Sequence, residues 1–151
     1  MILSNDLVYD KKKVSKREDL SIETRKSLEW IGNGKVGLEL ACHTGQLSKW
    51  LQKANNKVDG VDLNPEALNI ASEFLESHYQ LDIESKEFLD VFSSKQYDFI
   101  SVMHILEHLV NPWKTLSFLV SILNEKGHII IALPNICNAR DRYLISKGEF
   151  N

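Results

Sequence analysis

The chain is short of cysteine, proline and long apolar runs. Two cysteines in 151 residues, Cys42 and Cys137, are far apart and form no CxxC pair. That excludes a disulfide framework and gives no zinc-knuckle spacing. No apolar stretch reaches the roughly 18 residues a membrane-spanning helix needs, and Met1-Ile2-Leu3-Ser4-Asn5-Asp6 lacks the basic start of a secretory leader. Charge of one sign is also missing: 18 Lys and Arg stand against 21 Asp and Glu, a net of -3. Nothing there draws the chain toward nucleic acid or an anionic membrane. A cytoplasmic protein with neither a nucleic-acid nor a membrane partner is the expectation. What is present is an ordinary 43% hydrophobic content, enough at this length for one buried core.

Residues 1–19 read as a polar arm, in which Lys11-Lys12-Lys13 is balanced by Asp10, Glu18 and Asp19. Residues 20–151 read as one domain. Ser21-Ile22-Glu23-Thr24 opens a short helix through Trp30, stopped by Gly32-Asn33-Gly34. Strand and helix periods then alternate. Strands are expected at Val36–Ala41, Val58–Asp62, Tyr79–Asp82, Tyr97–Met103 and His128–Leu133. Between them lie helical patterns through Leu47 and Leu51, from Pro65 to Phe74 behind an Asn64 cap, around Phe88 and Phe92, and from Trp113 to Leu123. Ala139–Ser146 can form a last helix. Alternating β and α elements with continuous apolar strands predict an α/β fold, a doubly wound and mostly parallel sheet of about five strands. Ligands of such sheets collect at the carboxyl ends of the strands.

Three of those ends carry acids: Glu39, Asp62 and Asp82. They are expected to converge on one crevice. Glu39 and Asp62 are 23 residues apart, near the βαβ offset at which a carboxylate meets ribose hydroxyls.

Glu39-Leu40-Ala41-Cys42-His43-Thr44-Gly45-Gln46-Leu47 resembles motif I of the class I S-adenosylmethionine-dependent methyltransferases, (D/E)xGxGxG. The likeness runs in order from about Val36 to Phe150, through Gly60-Val61-Asp62-Leu63-Asn64-Pro65, Leu81-Asp82-Ile83, Met103-His104-Ile105-Leu106-Glu107-His108 and the fifth-strand segment ending Pro134-Asn135. It is nearest to the small-molecule enzymes akin to ubiquinone-biosynthesis O-methyltransferases, some with a tail echoed by Arg140, Arg142, Leu144, Gly148 and Phe150. The resemblance implies a Rossmann-like methyltransferase fold, S-adenosylmethionine as cofactor and methyl transfer to a small molecule. Glu39 and the loop of Ala41, Cys42, His43 and Gly45 would meet the methionine portion, through a carboxylate and backbone amides. Asp62 would hold the ribose, Leu63 would pack on the adenine, and Asp82 with the backbone of Ile83 would read its edge. Met103 and His104 would lie near the sulfonium, with His104 and His108 as candidate bases.

Ala41 and His43 stand where the motif has glycine, which permits positive φ and close backbone approach. A positive φ at His43 would strain the loop. The alternative is therefore a catalytically degraded methyltransferase-like binding or scaffold module. Family members usually continue through two more strands, including an antiparallel hairpin, so a bare edge along Ile129-Ile130-Ile131 and self-association through it are expected. Competing readings lack their residues. Only Gly45 remains of a dinucleotide GxGxxG. Cys42 and His43, adjacent on a turn, do not face one another. His104-Ile105-Leu106-Glu107-His108 matches HxxEH, which would place both imidazoles on one helical face, but no further metal ligand follows.

Overall fold

The computed structural model describes residues 20–135, 137 and 139–149. The polar arm at 1–19 and Phe150 of the echoed tail lie outside them. The elements run α1 (Ile22–Ile31), β1 (Val36–Leu40), α2 (Gln46–Lys53), β2 (Lys57–Asp62), α3 (Pro65–Ala71), β3 (Ser77–Gln80), α4 (Lys86–Phe92), β4 (Tyr97–Met103), α5 (Pro112–Ser121), β5 (Leu123–Ala132) and α6 (Ala139–Lys147). All four strand pairings are parallel, in the order β3-β2-β1-β4-β5. The order reverses between β1 and β4, so the crevice at their carboxyl ends is the topological switch point.

Local chemistry sets the helix starts. Ser21 Oγ accepts from the Thr24 amide, Asn64 Oδ1 from Glu66 and Ala67, and Asn111 Oδ1 from Lys114. Pro65 and Pro112 occupy first helical positions, where a missing N–H costs nothing.

Strand alternation divides the core between the two faces of the sheet. Leu38, Leu40, Val61, Ile100 and Val102 face α4 and α5, where Phe88, Phe92, Leu119 and Ile122 cover them. Val58, Phe99 and Ile130 face α1 and α2, meeting Leu28, Ile31, Leu47 and Leu51. Gly37 makes the second face possible. A Cβ there would stand 2.1 Å from the Phe99 ring, which lies across β1.

Boundaries differ from expectation around β3 and between α5 and β5. β3 begins earlier and ends at Gln80, because a 3-10 turn at Ser72–Phe74 ends the α3 segment and the chain extends at once. Asp82 consequently sits in the turn after β3. α5 stops at Ser121, and Leu123 pairs instead with Tyr97 at the start of β5. A register shift follows, and regular pairing resumes at His128 with Phe99, where the strand was expected.

Candidate active site

A cleft of about 320 Å³ opens at the switch point. Glu39 from β1, Ala41, Cys42 and His43 from the loop after it, Gln46 and Leu47 from α2, and Met103 and His104 from β4 line it. Its remaining wall is the first turn of α1, through Ser21, Glu23 and Thr24. The sequence reading gives Ser21, Glu23 and Thr24 no part in the site, and Gln46 and Leu47 only as the end of the motif after β1. Only a helix cap was visible at Ser21, and nothing in the pattern showed that α1 covers the strand ends.

Glu39 is 5% exposed. It accepts hydrogen bonds from the Ser48 hydroxyl and the Ser48 amide in the first turn of α2. That carboxylate caps a helix whose own N-cap, Gly45, has no side chain to do so. Burial raises its titration to about 7, with Asp62 adding to the rise and the Ser48 bonds opposing it. Glu39 thus holds its proton to higher pH than an ordinary carboxyl, and a cation placed beside it would favour the ionised form.

The loop after β1 follows the path that glycines would take. φ is 50° at Ala41, 49° at His43 and 73° at Gly45. An L-residue in the left-handed region costs roughly 1–2 kcal/mol. Asp62 holds the strained turn: its Oδ2 accepts from the His43 amide at 2.7 Å and its Oδ1 from the Asn64 amide at 2.8 Å. The Cys42 amide donates to Val61 O and the Gly45 amide to Cys42 O. The amides of Cys42, His43 and Gly45, expected to face a ligand, therefore hold the loop itself together. Gly45 is favoured for a second reason, since a Cβ there would come 3.0 Å from Ala71 Cα, a tight backbone contact. Cys42 tucks its thiol inward against Leu68, Ala71 and Leu75, and burial pushes its titration far up, with Glu39 and Asp62 adding to it.

The three acids do not share one enclosed hollow. Neighbouring strands lie nearly 5 Å apart, so acids on successive strands form a row. Only Glu39 lines the cleft. Asp62 stands at the end of β2, followed by Leu63, which is 65% exposed. Asp82 is exposed beyond β3, its Oδ1 accepting from the Glu84 amide at 2.9 Å, and the Ile83 side chain is buried in the core.

On the β4 side, His104 has a φ of 52°. That turn ends β4, and a 3-10 turn at Leu106–His108 follows instead of an α-helix. His104 and His108 therefore do not share a helical face, which corrects the geometry expected of HxxEH. His104 lines the cleft with Nε2 3.3 Å from Glu23 Oε2 and Nδ1 4.0 Å from Glu107 Oε1. His108 is exposed and lies outside the cleft lining. Among the described residues, no cluster of three or more His, Cys, Asp or Glu could hold a metal ion.

Comparison with known proteins agrees with this architecture. A family model described as a methyltransferase domain matches residues 15–146. A ubiquinone biosynthesis O-methyltransferase of Azoarcus sp. (strain BH72) is 30% identical over 116 residues, covering 72% of this chain and 50% of that protein. The chain spans about half the length of the curated relatives it matches. Among solved structures, a SAM-dependent methyltransferase from Archaeoglobus fulgidus superposes with a TM-score of 0.65 at 21% identity, over 74% of this chain and 50% of its own. An N-methyltransferase from Bradyrhizobium japonicum WM9, solved with S-adenosyl-L-homocysteine, gives 0.58 at 21% identity, over 76% and 64%. These likenesses show the fold, and the family match goes further: the chain belongs to the methyltransferase domain family.

Proposed function

We propose that the chain binds S-adenosylmethionine along the carboxyl ends of β1 to β4 and passes its methyl group to a small-molecule acceptor. One observation carries this reading. Among the described residues four non-glycine positions have positive φ, and three of them, Ala41, His43 and His104, line the one cleft that holds Glu39. Strained backbone gathered around a single cavity is the mark of a site held in shape for a ligand. The relative named for ubiquinone biosynthesis supports a small-molecule acceptor and methyl transfer to oxygen.

S-adenosylmethionine, when bound, supplies a methyl group already activated on a sulfonium. The donor set suits it. Glu39 accepts from the ammonium group at the floor of the cleft. Asp62 keeps unused lone pairs on both carboxylate oxygens for the ribose hydroxyls. Exposed Leu63 offers an apolar platform to the adenine, and Asp82 accepts from its amine beside the Ile83 backbone. Ala41, Cys42, His43 and Gly45 shape the methionine end. Met103 forms the wall beneath the reacting centre. His104, next to Glu23, takes the proton of the acceptor, and His108, being outside the cleft, is left a role at its outer rim.

A cation beside Glu39 favours the ionised acid, so binding releases a proton and affinity rises with pH up to about 7. Titration calorimetry with S-adenosyl-L-homocysteine at pH 6 and pH 8 checks both points. Tighter binding at pH 8 is expected; no heat at either pH from folded protein overturns the reading. Free Cys42 and Cys137 support a cytoplasmic location. Exposed Ile131 on β5, an edge of the described sheet, supports self-association, which light scattering reads.

A further inference from the structure

The loops on the nucleoside side and the acceptor side of the site are joined by one carboxylate. Glu84 follows β3 in the Asp82 turn, where its own amide donates to Asp82 Oδ1 and the Ser85 amide to Asp82 O. Its side chain leaves that turn and crosses to the segment after β4. Oε2 accepts from the Val110 amide at 2.9 Å and Oε1 from the Asn111 amide at 2.7 Å. Asn111 in turn caps α5, through Oδ1 to the Lys114 amide and its carbonyl to the Thr115 amide.

Packing fixes this segment as far as Leu109, since Leu106 is buried and Ile105 and Leu109 pack against the core, but it does not reach the crossing point itself. The Val110 side chain is 94% exposed and that of Trp113 is 77% exposed. At Val110 and Asn111 the backbone amides are instead held by two charge-assisted hydrogen bonds to one carboxylate. The segment they anchor, residues 104–111, begins with the strained His104 on the cleft wall. One side chain thereby ties the turn bearing Asp82 to the loop bearing the candidate base.

We propose that Glu84 is a positioning residue that couples occupation of the Asp82 turn to the placement of the His104 loop. The coupling rests on the S-adenosylmethionine reading, in which the adenine sits against Asp82; the tether itself does not. A ligand that orders the Asp82 turn fixes the Glu84 backbone, and both amide bonds then hold the acceptor-side loop more firmly. A residue that merely capped α5 would give no such link, because α5 would be equally ordered with or without ligand.

The test is backbone amide exchange, followed by NMR on the full chain, for wild type, Glu84→Ala and Glu84→Gln. Without ligand, Glu84→Ala should speed exchange at Val110 and Asn111 by at least about tenfold, with β1 and α2 unchanged. Glu84→Gln keeps one carbonyl acceptor and should fall between, and it serves if the alanine variant does not fold. Unaltered exchange at both amides in the variants overturns the tether. S-adenosyl-L-homocysteine should then slow exchange at Val110 and Asn111 in wild type and fail to do so in Glu84→Ala, whose affinity for it should fall by no more than the factor by which exchange slowed in wild type. Ligand that binds wild type and leaves the two amides unaffected overturns the coupling. Should wild type bind no ligand, the cofactor reading falls and the coupling with it, and the ligand-free comparison still decides the tether.

Discussion

Asp59 and Glu39 sit on adjacent strands, point to opposite faces of the sheet and are both largely withdrawn from water. Asp59 is answered by a cation: Lys95 Nζ and Tyr97 Oη each lie 2.7 Å from its Oδ2, and Tyr79 Oη is 2.7 Å from the same ammonium. Burial works against the Lys95 charge, yet the hydrogen bonds with Asp59 and Tyr79 outweigh it and hold the ammonium above its usual range. Burial, then the bond to Asp59, pushes the Tyr97 phenol up so that it remains a donor. Glu39 has only Ser48 to answer its charge and titrates near 7. A closed polar network is a fastening. A buried acid short of a cation is an opening for a ligand that brings one.

Substitutions separate the two cases, and the largest effect belongs to the fastening. Asp59→Asn leaves Lys95 without an anion and should cost about 2–4 kcal/mol in denaturant unfolding, with ligand affinity unchanged in the folded fraction. Loss of binding with stability intact would reverse the assignment.

Glu39 comes next, with a sign of its own. Its folded-state titration is raised from 4.5 to about 7, so between those values the native chain holds a proton that the unfolded chain releases. That contribution to stability is present at low pH, falls as pH rises through the window and is level above it, a change on the order of 3 kcal/mol. Unfolding curves for wild type and Glu39→Gln at pH 4.5 and pH 8 should differ by that slope. The variant should also bind S-adenosyl-L-homocysteine at least about tenfold more weakly at pH 8.

Smaller effects test the strained loop. Ala41→Gly and His43→Gly should each add about 0.5–1 kcal/mol, because glycine accepts the observed φ without a Cβ penalty. A fall in stability would show that the side chains contribute more than the backbone loses. Smallest is Glu23→Gln, which should change stability by less than about 0.5 kcal/mol while speeding amide exchange in α1, the wall it joins to His104.

Most of the scaffold was readable from the chain. The nearly continuous apolar run Tyr97–Met103 marks β4 at its observed limits, and Asn64-Pro65-Glu66 marks the start of α3. Errors fell where local signals compete. Tyr79-Gln80-Leu81-Asp82 has a strand's alternation, but the pairing of β3 with β2 ends at Gln80, opposite Asp62. Leu123 continues the apolar stripe of α5 yet pairs with Tyr97. The site was legible wherever a motif lies within one loop, as for Glu39, Ala41, Cys42 and His43. It was not legible where α1 folds back over the strand ends, since Glu23 and His104 are 81 residues apart and no periodicity links them. The HxxEH pattern misled for a related reason, because spacing alone does not show that His104 has left the right-handed region.

Cys42 and Cys137 give the molecule a pair of native labels. Cys137 is exposed and will react with a thiol reagent at once. Cys42, packed under Gly60 and Leu75 with its thiolate strongly disfavoured, reacts only when the turn above it comes apart. The slow phase of a modification time course therefore counts openings of the loop after β1, and any ligand that holds that loop closed will lengthen the phase without an introduced reporter.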